Sequence, residues 1–320
     1  MLNVAVVGLG WWGRTIVSLL AGNRRLRVVM GVDVQPTSLG VPVKSAYEAA
    51  LRDPAVQGVI LCTPHSQHAG QVVQAAEAKK HVFCEKPLAL SLQEALSSIK
   101  ACNDNRVVLA VGHEKRFEPP VREVFRMAKM GELGTLLQVE ANFSQNKFLS
   151  LPRSNWRLSE KEAPAGPMTA TGIHLLDLSV GLLGPAATAY ASVKTLGSGL
   201  ANGDTLGALV SFHSGANALI SAILATPFEG RFAVYGTKGW VEVRDKAHPE
   251  APQGWILRKH GGESTDYPPA NAVLANLEAF ADAAEGRGPY PVPQQQMIAN
   301  IAALEAVFAS ARSGKVEAVQ

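Results

Sequence analysis

The chain has 320 residues, of which 47% are hydrophobic and 18% are charged, and its formal net charge at pH 7 is +3. This length predicts about two domains, and the composition is that of an ordinary soluble globular protein. The basic residues are scattered, and no apolar run approaches membrane-spanning length, so neither nucleic acid nor a membrane is expected as a partner.

The start of the chain and its cysteines bear on location. The first predicted strand begins at Asn3 with no basic region before it, so no signal peptide is expected. Cys62, Cys84 and Cys102 lack the spacing of metal ligands, and the first two fall in predicted buried strands. We therefore expect reduced core cysteines, no structural metal and a cytoplasmic protein.

A glycine motif follows the first predicted strand, Asn3 to Val7, and a helix is predicted from Arg14 onwards. In such a G-x-G-x-x-G turn the first glycine allows a tight bend, and the second lets the backbone approach a pyrophosphate. The third lets the helix pack against the strand, and backbone N–H groups at the helix start point at the phosphates. The predicted dinucleotide contacts in this turn are Gly8, Gly10, Trp11, Trp12 and Gly13.

An acidic residue follows the second predicted strand, Leu26 to Val32. Asp33 lies 20 positions after Gly13, where a carboxylate would accept hydrogen bonds from an adenosine ribose. It would repel a 2′-phosphate, and the following residues, Val34-Gln35-Pro36, offer no cation to bind one. The pattern favours NAD over NADP. The alternative is an ordinary glycine turn with a solvated Asp.

Strands and helices continue to alternate up to about residue 111, which predicts a parallel sheet with helices on both faces. The predicted strands are continuous apolar runs, as expected for strands that are covered on both faces. These elements are a helix from Ser45 to Arg52 with Ser45 as its cap, a strand from Val56 to Cys62, a helix from Gln67 to Ala78, a strand from His81 to Cys84, a helix from Ser91 to Cys102 with Glu94 in a capping box, and a strand from Val107 to Val111.

The pattern changes after Pro119, where alternating segments separated by Gly-rich turns predict a mostly antiparallel sheet. An uncovered face of such a sheet suits a homo-oligomer contact. Helices are predicted at Val121 to Met130, Ile173 to Leu183, Glu278 to Glu285 and Met297 to Ala311; strands at Leu136 to Phe143, Thr188 to Lys194, Thr205 to Phe212, Ala216 to Leu224, Phe232 to Tyr235 and Trp240 to Val243; and long, potentially functional loops at Phe148 to Pro167 and Lys246 to Pro269.

Further polar groups follow the predicted strands of the parallel sheet, whose carboxyl ends share one edge. Thr63, Pro64 and His65 come after the third apolar strand, with His68 in the following helix. Thr63 and Pro64 can pack beside a bound dinucleotide. For the two histidines, capping of the helix N-terminus and contact with a cofactor remain equally open.

Lys86 follows the strand from His81 to Cys84, within the sequence Glu85-Lys86-Pro87. A residue before proline is held extended, and a cis Lys86–Pro87 bond is possible. Burial and a neighbouring cationic nicotinamide would lower the pKa of Lys86, so that it could bind a hydroxyl and pass its proton. From the residues alone, an ion pair with Glu85 is the preferred interpretation.

Taken together, six motifs resemble the glucose–fructose oxidoreductase / inositol dehydrogenase / MocA family, in the family's order and over nearly the whole chain. They are Gly8–Gly13, Thr63-Pro64 with His68, Glu85-Lys86-Pro87, Gly112 with Arg116-Phe117, Trp156-Arg157, and Gly172-Ile173-His174 with Asp177. The resemblance implies an α/β protein with an N-terminal Rossmann domain, residues 1–118, and a C-terminal α/β domain with a large, mostly antiparallel sheet, residues 119–320.

The same resemblance implies NAD(P)-dependent oxidation or reduction of a sugar, a cyclitol or a related hydroxyl or carbonyl compound. A homodimer or homotetramer through the C-terminal sheet is implied as well. Lys86 would hold the reacting oxygen, and His174 would be the general acid/base, facing a shared cofactor and substrate site. The other implied substrate contacts are Arg116, Trp156, Arg157 and Thr171. A tryptophan anchor with a surface arginine is the alternative for Trp156 and Arg157.

Two departures from the family pattern affect the function. Polyol-oxidising relatives often carry Asp four residues before the histidine, where this chain has Ala170, and Thr169 or Thr171 could replace it only in part. The residues His113-Glu114-Lys115 also differ from a common Asn/Arg-rich pattern. The missing Asp favours a substrate with fewer hydroxyls, or the reductive direction. The alternatives are a non-catalytic NAD-binding regulator and an enzyme that uses tightly held NAD for net non-redox chemistry.

Overall fold

The computed structural model describes residues 1–35 and 37–320, and the chain divides into two compact units. The first unit comprises residues 1–113 and 273–298, and the second comprises residues 114–272 and 299–320. The predicted domains, which were divided at residue 118, differ from these units in two respects. The second unit begins at Glu114, and a late segment of the chain returns to the first unit.

A parallel sheet forms the centre of the first unit. Its elements up to residue 113 are β1 (Leu2–Val7), α1 (Trp11–Leu19), β2 (Leu26–Val32), β3 (Val43–Lys44), α2 (Tyr47–Arg52), β4 (Gly58–Leu61), α3 (His65–Glu77), β5 (His81–Cys84), α4 (Leu92–Asn105) and β6 (Leu109–Val111). The strand order is β3-β2-β1-β4-β5-β6, and every pairing is parallel. The order reverses beside β1, which is where ligands bind in sheets of this topology.

Local capping explains two helix starts in this unit. Ser91 Oγ accepts a hydrogen bond from the Glu94 N–H at 3.3 Å, which confirms the predicted cap of α4. The predicted cap at Ser45 is wrong, because α2 begins at Tyr47 after Ala46 and has no side-chain cap. Val43 and Lys44 pair with β2 as an edge strand, and this pairing delays the helix.

The second unit is built on a mostly antiparallel sheet. The remaining elements are α5 (Pro119–Lys129), β7 (Leu136–Ser144), α6 (Ile173–Leu183), β8 (Ala186–Lys194), β9 (Thr205–Phe212), β10 (Asn217–Ile223), β11 (Glu229–Gly236), β12 (Gly239–Asp245), β13 (Trp255–Lys259), β14 (Ser264–Tyr267), α7 (Ala272–Ala284), α8 (Gln294–Ser313) and β15 (Glu317–Ala318). The order is β14-β13-β12-β11-β7-β10-β9-β8-β15, and only β7 and β10 pair in parallel among the described residues. Strands β13 and β14 lie within residues 246–269, which were predicted to be a loop.

Helix α7 explains why the late segment joins the first unit. Its Leu277 and Phe280 are fully buried in the same core cluster as the residues of β1. The Phe280 ring meets the ring of Phe83 on β5 edge to face, with centroids 5.8 Å apart. These side chains complete a core that the N-terminal residues alone leave open.

One face of the second sheet carries apolar side chains in a row. Tyr190 pairs with Leu209, which in turn pairs with Leu219, and 42%, 40% and 42% of these residues' surfaces are exposed. We call these three residues the apolar row. Their neighbours along each strand, such as Val210 and Ala218, point to the buried face. The alternation expected for a sheet covered on one side is thus present.

The cysteines and the helices bear on the expectations about environment. Cys62, Cys84 and Cys102 are all buried thiols, and burial raises the pKa of Cys102 to about 12. The prediction of core cysteines is confirmed. Within residues 1–35 and 37–320, no helix combines the length and the apolar character that crossing a membrane would require.

Candidate active site

The glycine turn between β1 and α1 is packed by protein at two positions and open at the third. Gly8 has φ +87°, and a Cβ there would lie 2.8 Å from the backbone of Cys62. A Cβ at Gly13 would lie 1.9 Å from the carbonyl oxygen of Gly8, whereas a Cβ at Gly10 would meet no described atom within 4 Å. The turn therefore leaves space beside Gly10, which fits the approach of a diphosphate.

The start of α1 offers donors to such a group. Gly10 is the N-cap residue, and the first helical hydrogen bond runs from the N–H of Arg14 to its carbonyl oxygen at 3.1 Å. The N–H groups before Arg14 in a helix have no acceptor within it, so they can serve an anion. Trp11 is 45% exposed and Trp12 is half-buried, with ring centroids 5.2 Å apart.

Asp33 joins the end of β2 to the glycine turn. Its Oδ2 accepts a hydrogen bond from the N–H of Leu9 at 2.5 Å, and its Oδ1 accepts one from the N–H of Gln35 at 2.8 Å. Each carboxylate oxygen has a second lone pair, so ribose hydroxyls can still bind here. Val34 and Gln35 bring no cation, and Pro36, the last residue of that prediction, lies outside the described residues.

His68 links two of the loops at this edge of the sheet. It is fully buried, with Nδ1 2.6 Å from the carbonyl oxygen of Pro87 and Nε2 3.0 Å from that of Thr63. A capping side chain would accept from backbone N–H groups, so the capping interpretation is wrong for His68. Helix α3 begins at His65 after Pro64, and Thr63 Oγ1 donates to Gln71 Oε1 at 2.6 Å.

The residues after β5 form the next loop. The Lys86–Pro87 peptide bond is cis, as the sequence allowed, and the Lys86 side chain is half-buried. The N–H of Lys86 donates to Glu85 Oε2 at 3.3 Å. The Glu85 carboxylate lies where a side chain at Gly112 would be, 2.6 Å from an ideal Cβ. Gly112 therefore makes room for the carboxylate of this motif.

In the second unit, His174 lies in the first turn of α6, whose bounds agree with the prediction. The helix follows a π-helical turn, Met168–Gly172, a rare conformation that is common at functional sites. The His174 side chain is 4% exposed, and its Nδ1 lies 3.4 Å from Oε2 of Glu114. The ring of Phe143 lies beside it, with centroids 6.0 Å apart.

Asp177, one turn along α6 from His174, binds Arg116. The guanidinium donates to both carboxylate oxygens, at 2.6 and 3.0 Å, and to the Asp177 carbonyl oxygen at 2.7 Å. A Cβ at Gly181 would lie 2.2 Å from Arg116 Nη1, so this glycine lets the guanidinium approach the helix. Arg116, a predicted substrate contact, thus connects the 3-10 helix Glu114–Phe117 to α6.

A buried charge cluster, which no local sequence pattern predicts, lies next to this connection. Lys115 Nζ is 3.0 Å from Glu118 Oε1 and 3.2 Å from both carboxylate oxygens of Asp245. Burial lowers the pKa of Lys115, but Asp245 and Glu118 outweigh it and hold this pKa above its usual value. Burial raises the pKa of Glu118 to about 8, against the opposing effect of Lys115.

The threonines next to Ala170 use their hydroxyl hydrogens within the fold. Thr169 Oγ1 donates to the carbonyl oxygen of Pro164. Thr171 Oγ1 lies 2.8 Å from the carbonyl oxygen of Phe143 and 3.2 Å from that of Pro167, and it is buried. Neither threonine supplies the negative charge that position 170 lacks.

Trp156 and Arg157 form a stacked pair on a 3-10 helix, Trp156–Leu158. The Arg157 guanidinium lies 4.1 Å from the centroid of the Trp156 ring, a cation–π distance. Asn155 Oδ1 accepts from the N–H of Arg157 at 3.0 Å, and Asn202 Nδ2 donates to the Arg157 carbonyl oxygen at 2.9 Å. Both side chains are half-buried, and their contact with a substrate stays a prediction.

Comparison with known families covers both units. Residues 2–113 match the oxidoreductase family with an NAD-binding Rossmann fold, and residues 121–242 match the GFO/IDH/MocA C-terminal domain. The chain belongs to the GFO/IDH/MocA oxidoreductase family. Its first unit is therefore an NAD(P)-binding Rossmann domain, and the predicted fold class and enzyme class are confirmed.

Three curated relatives illustrate the range of this GFO/IDH/MocA family. The chain is 30% identical to 1,5-anhydro-D-fructose reductase of Ensifer adhaerens, over 86% of this chain and 84% of that protein. It is 28% identical to 2,7-anhydro-N-acetylneuraminate hydratase of Escherichia coli, over 76% of this chain and 68% of that protein. It is 30% identical to the uncharacterized oxidoreductase YrbE of Bacillus subtilis, over 62% of this chain and 58% of that protein.

A solved structure agrees with this fold over its whole length. GenD2 from gentamicin A biosynthesis, in complex with NAD, is 25% identical and superposes with a TM-score of 0.86. The alignment covers 100% of this chain and 96% of GenD2. Among the described residues of this GFO/IDH/MocA protein, no group of three or more His, Cys, Asp or Glu side chains is placed to hold a metal ion.

Proposed function

We propose that this protein is an NAD-dependent dehydrogenase or reductase acting on a hydroxyl or carbonyl carbon of a sugar, a cyclitol or a cyclic diol-like compound. The observation that carries the proposal is the open space beside Gly10, between two glycines packed against protein and next to the carboxylate of Asp33. The named reductase relative supports the substrate class. When bound, the nicotinamide ring supplies the hydride chemistry.

Lys86 and His174 are the residues that we propose for proton transfer. The Lys86 ammonium has three N–H donors on a flexible stem, so it can hold the reacting oxygen and pass a proton to it. In His174, Nδ1 lies near a carboxylate, and we propose Nε2 as the general acid or base. Arg157, Trp156 and Thr171 stay proposed substrate contacts, and Arg116 is proposed to act through Asp177.

The choice of NAD rests on Asp33. Its carboxylate occupies the end of β2, where a 2′-phosphate would bring a second negative charge. The two negative charges would repel each other, and Val34 and Gln35 bring no cation to offset the repulsion.

The function is tested by mixing the protein with a panel of sugars, cyclitols and cyclic diols, including 1,5-anhydro-D-fructose. Each compound is supplied with NAD, NADP, NADH or NADPH, and the absorbance at 340 nm is followed. We expect at least one compound to change the absorbance, with a kcat/KM at least roughly tenfold higher for the NAD(H) pair. No change with any compound would favour a non-catalytic NAD-binding regulator.

A variant of Asp33 separates the cofactor preference from the catalytic proposal. In Asp33→Ser the repelling charge is removed, so the Kd for NADPH, measured by fluorescence titration, should fall relative to the Kd for NADH. Wild-type protein that binds NADPH at least as tightly as NADH would contradict the preference for NAD. That result would leave the oxidoreductase proposal untouched.

A second candidate function is net non-redox chemistry with tightly held NAD, which the relative named as a hydratase favours. The same panel discriminates between the two. Consumption of a compound without a lasting absorbance change, by protein that retains NAD through purification, would support this candidate. A stoichiometric change in absorbance would support the dehydrogenase.

We also propose that this protein is a homodimer or homotetramer that pairs through the apolar row. Tyr190, Leu209 and Leu219 lie side by side on adjacent strands and are each about two-fifths exposed. Covering such a row with a second copy would remove apolar surface from water at about 25 cal/mol per Å². The row is self-complementary in chemistry, as a two-fold contact requires.

Sedimentation velocity tests this assembly. We expect the wild type to sediment as a dimer or larger, and Leu209→Asp to sediment as a smaller species, because the variant places a charge in the middle of the row. Leu196→Asp is the matched control, since Leu196 is 76% exposed and lies outside the strands. A monomeric wild type would exclude the proposal.

A further inference from the structure

A carboxylate lies close to His174, although position 170 is alanine. Glu114 reaches the imidazole from the 3-10 helix at the start of the second unit, with its Oε2 3.4 Å from Nδ1. We propose that Glu114 is a positioning residue that selects the tautomer and raises the basicity of His174. The proposal rests on the acid/base role proposed above for His174.

The chemistry follows from which atoms of the two groups can carry a proton. An ionised carboxylate can only accept hydrogen bonds, so its charge 3.4 Å away favours the tautomer with the proton on Nδ1. Nε2 of the neutral ring is then the basic nitrogen, free of that proton and able to exchange one with an alcohol. The nearby negative charge also stabilises the imidazolium that forms when Nε2 takes up a proton.

The two residues that follow Glu114 are held by ion pairs. Lys115, the next residue, is held by Glu118 and Asp245, and its side chain is 5% exposed. Arg116 is bound to Asp177, on the same helix as the imidazole. One end of this short segment is thus tied to α6, the helix that carries His174.

Other charged or titratable groups lie near the ring on neighbouring elements, and each has a partner. Lys115 Nζ stands 5.1 Å from the centroid of the Phe143 ring, and it is paired with Glu118 and Asp245. Asp177 is paired with Arg116. His248 packs against Phe143 at 6.1 Å, and burial lowers its pKa, which favours the neutral form. Of these groups, Glu114 is the one described within ion-pair distance of His174.

Histidine NMR in the protein without ligands tests the proposal independently of catalysis. The His174 resonance is assigned by its absence in His174→Gln, and its titration is compared between wild type and Glu114→Gln. We expect the pKa of His174 to fall by about one pH unit in Glu114→Gln, and the ring to lose its preference for the Nδ1–H tautomer. Glu160→Gln, which removes the same charge at an exposed position, should change neither property.

An equal pKa and an equal tautomer in wild type and Glu114→Gln would overturn the proposal. If Glu114→Gln does not fold, the double variant Glu114→Gln/Ala170→Asp, which returns a carboxylate four residues before the ring, provides the comparison. We expect its His174 pKa to return toward the wild-type value. A His174 pKa in the folded double variant that stays about one pH unit below the wild-type value would count against the carboxylate.

Turnover separates this proposal from the proposed function. With the compound found in the absorbance panel, Glu114→Gln should lose roughly tenfold or more in kcat, and its pH profile should move with the NMR pKa. If His174→Gln retains full turnover, the acid/base role itself fails. If His174→Gln is inactive while Glu114→Gln keeps the wild-type pH profile, only the positioning role fails.

Discussion

Lys86→Met is expected to lose nearly all turnover while binding NADH as tightly as the wild type. Methionine keeps much of the length and apolar stem of lysine but has no N–H donor, so it cannot hold or protonate the reacting oxygen. General acid or base groups contribute about 10²- to 10⁴-fold, and we expect a loss of kcat in this range. The glycine turn and Asp33, which hold the dinucleotide in our proposal, are left intact.

Two measurements on the same protein decide this prediction. NADH fluorescence titration gives the Kd, and absorbance at 340 nm gives kcat with the compound from the panel. Lys100→Met serves as the control, because Lys100 is exposed on α4 and pairs only with the exposed Asp104 among its described ion pairs. Wild-type kcat in Lys86→Met would remove this lysine from the mechanism, and a large loss of NADH affinity would point to a role in cofactor binding instead.

The glycine turn allows a second prediction, because its members should respond differently to the same added methyl group. In Gly13→Ala the methyl would lie 1.9 Å from the Gly8 carbonyl oxygen, so the turn must move. Overpacking of this kind lowers the free energy of unfolding by about 1–3 kcal/mol or more, and NADH binding should be lost with it.

Gly10→Ala should separate binding from stability. Gly10 has φ −61°, which alanine adopts easily, and its added methyl meets no described atom within 4 Å. We therefore expect a free energy of unfolding within about 0.5 kcal/mol of the wild type. The methyl would occupy the space that a diphosphate needs, so the Kd for NADH should rise roughly tenfold or more.

Urea unfolding and NADH titration of three variants test this contrast. Gly70→Ala is the matched control, because Gly70 lies in α3 and is also open within 4 Å. Alanine there should raise the free energy of unfolding by up to about 1 kcal/mol without changing the Kd. Unchanged NADH affinity in Gly10→Ala would mean that the diphosphate binds elsewhere.

Much of the fold could be predicted from local patterns. The bounds of β2, β5, β9 and α6 agree with the sequence analysis, since each is a periodic or continuous apolar run with clear ends. The polar strand β14 and the short edge strands β3 and β15 were missed. Such strands depend on pairing with a neighbour rather than on their own apolar pattern.

The candidate site likewise combines features that are local in the sequence with contacts between residues far apart in it. Glycine spacing and the Glu85-Lys86-Pro87 motif are local, so they could be read from the sequence. The partners of Lys115 could not, since Asp245 lies 130 positions away and only the second sheet brings it close. The pairing of Glu114 with His174 is equally non-local, and the unusual segment His113-Glu114-Lys115 was its only trace in the sequence.

The return of α7 to the first unit has a consequence for synthesis on the ribosome. Domains usually fold from the N-terminus as the chain emerges, at about 5–20 residues per second. Here the core around Phe83 is incomplete until Leu277 and Phe280 have been made. The core of the nascent Rossmann sheet therefore stays incomplete, with apolar surface exposed, while almost the entire second unit is translated.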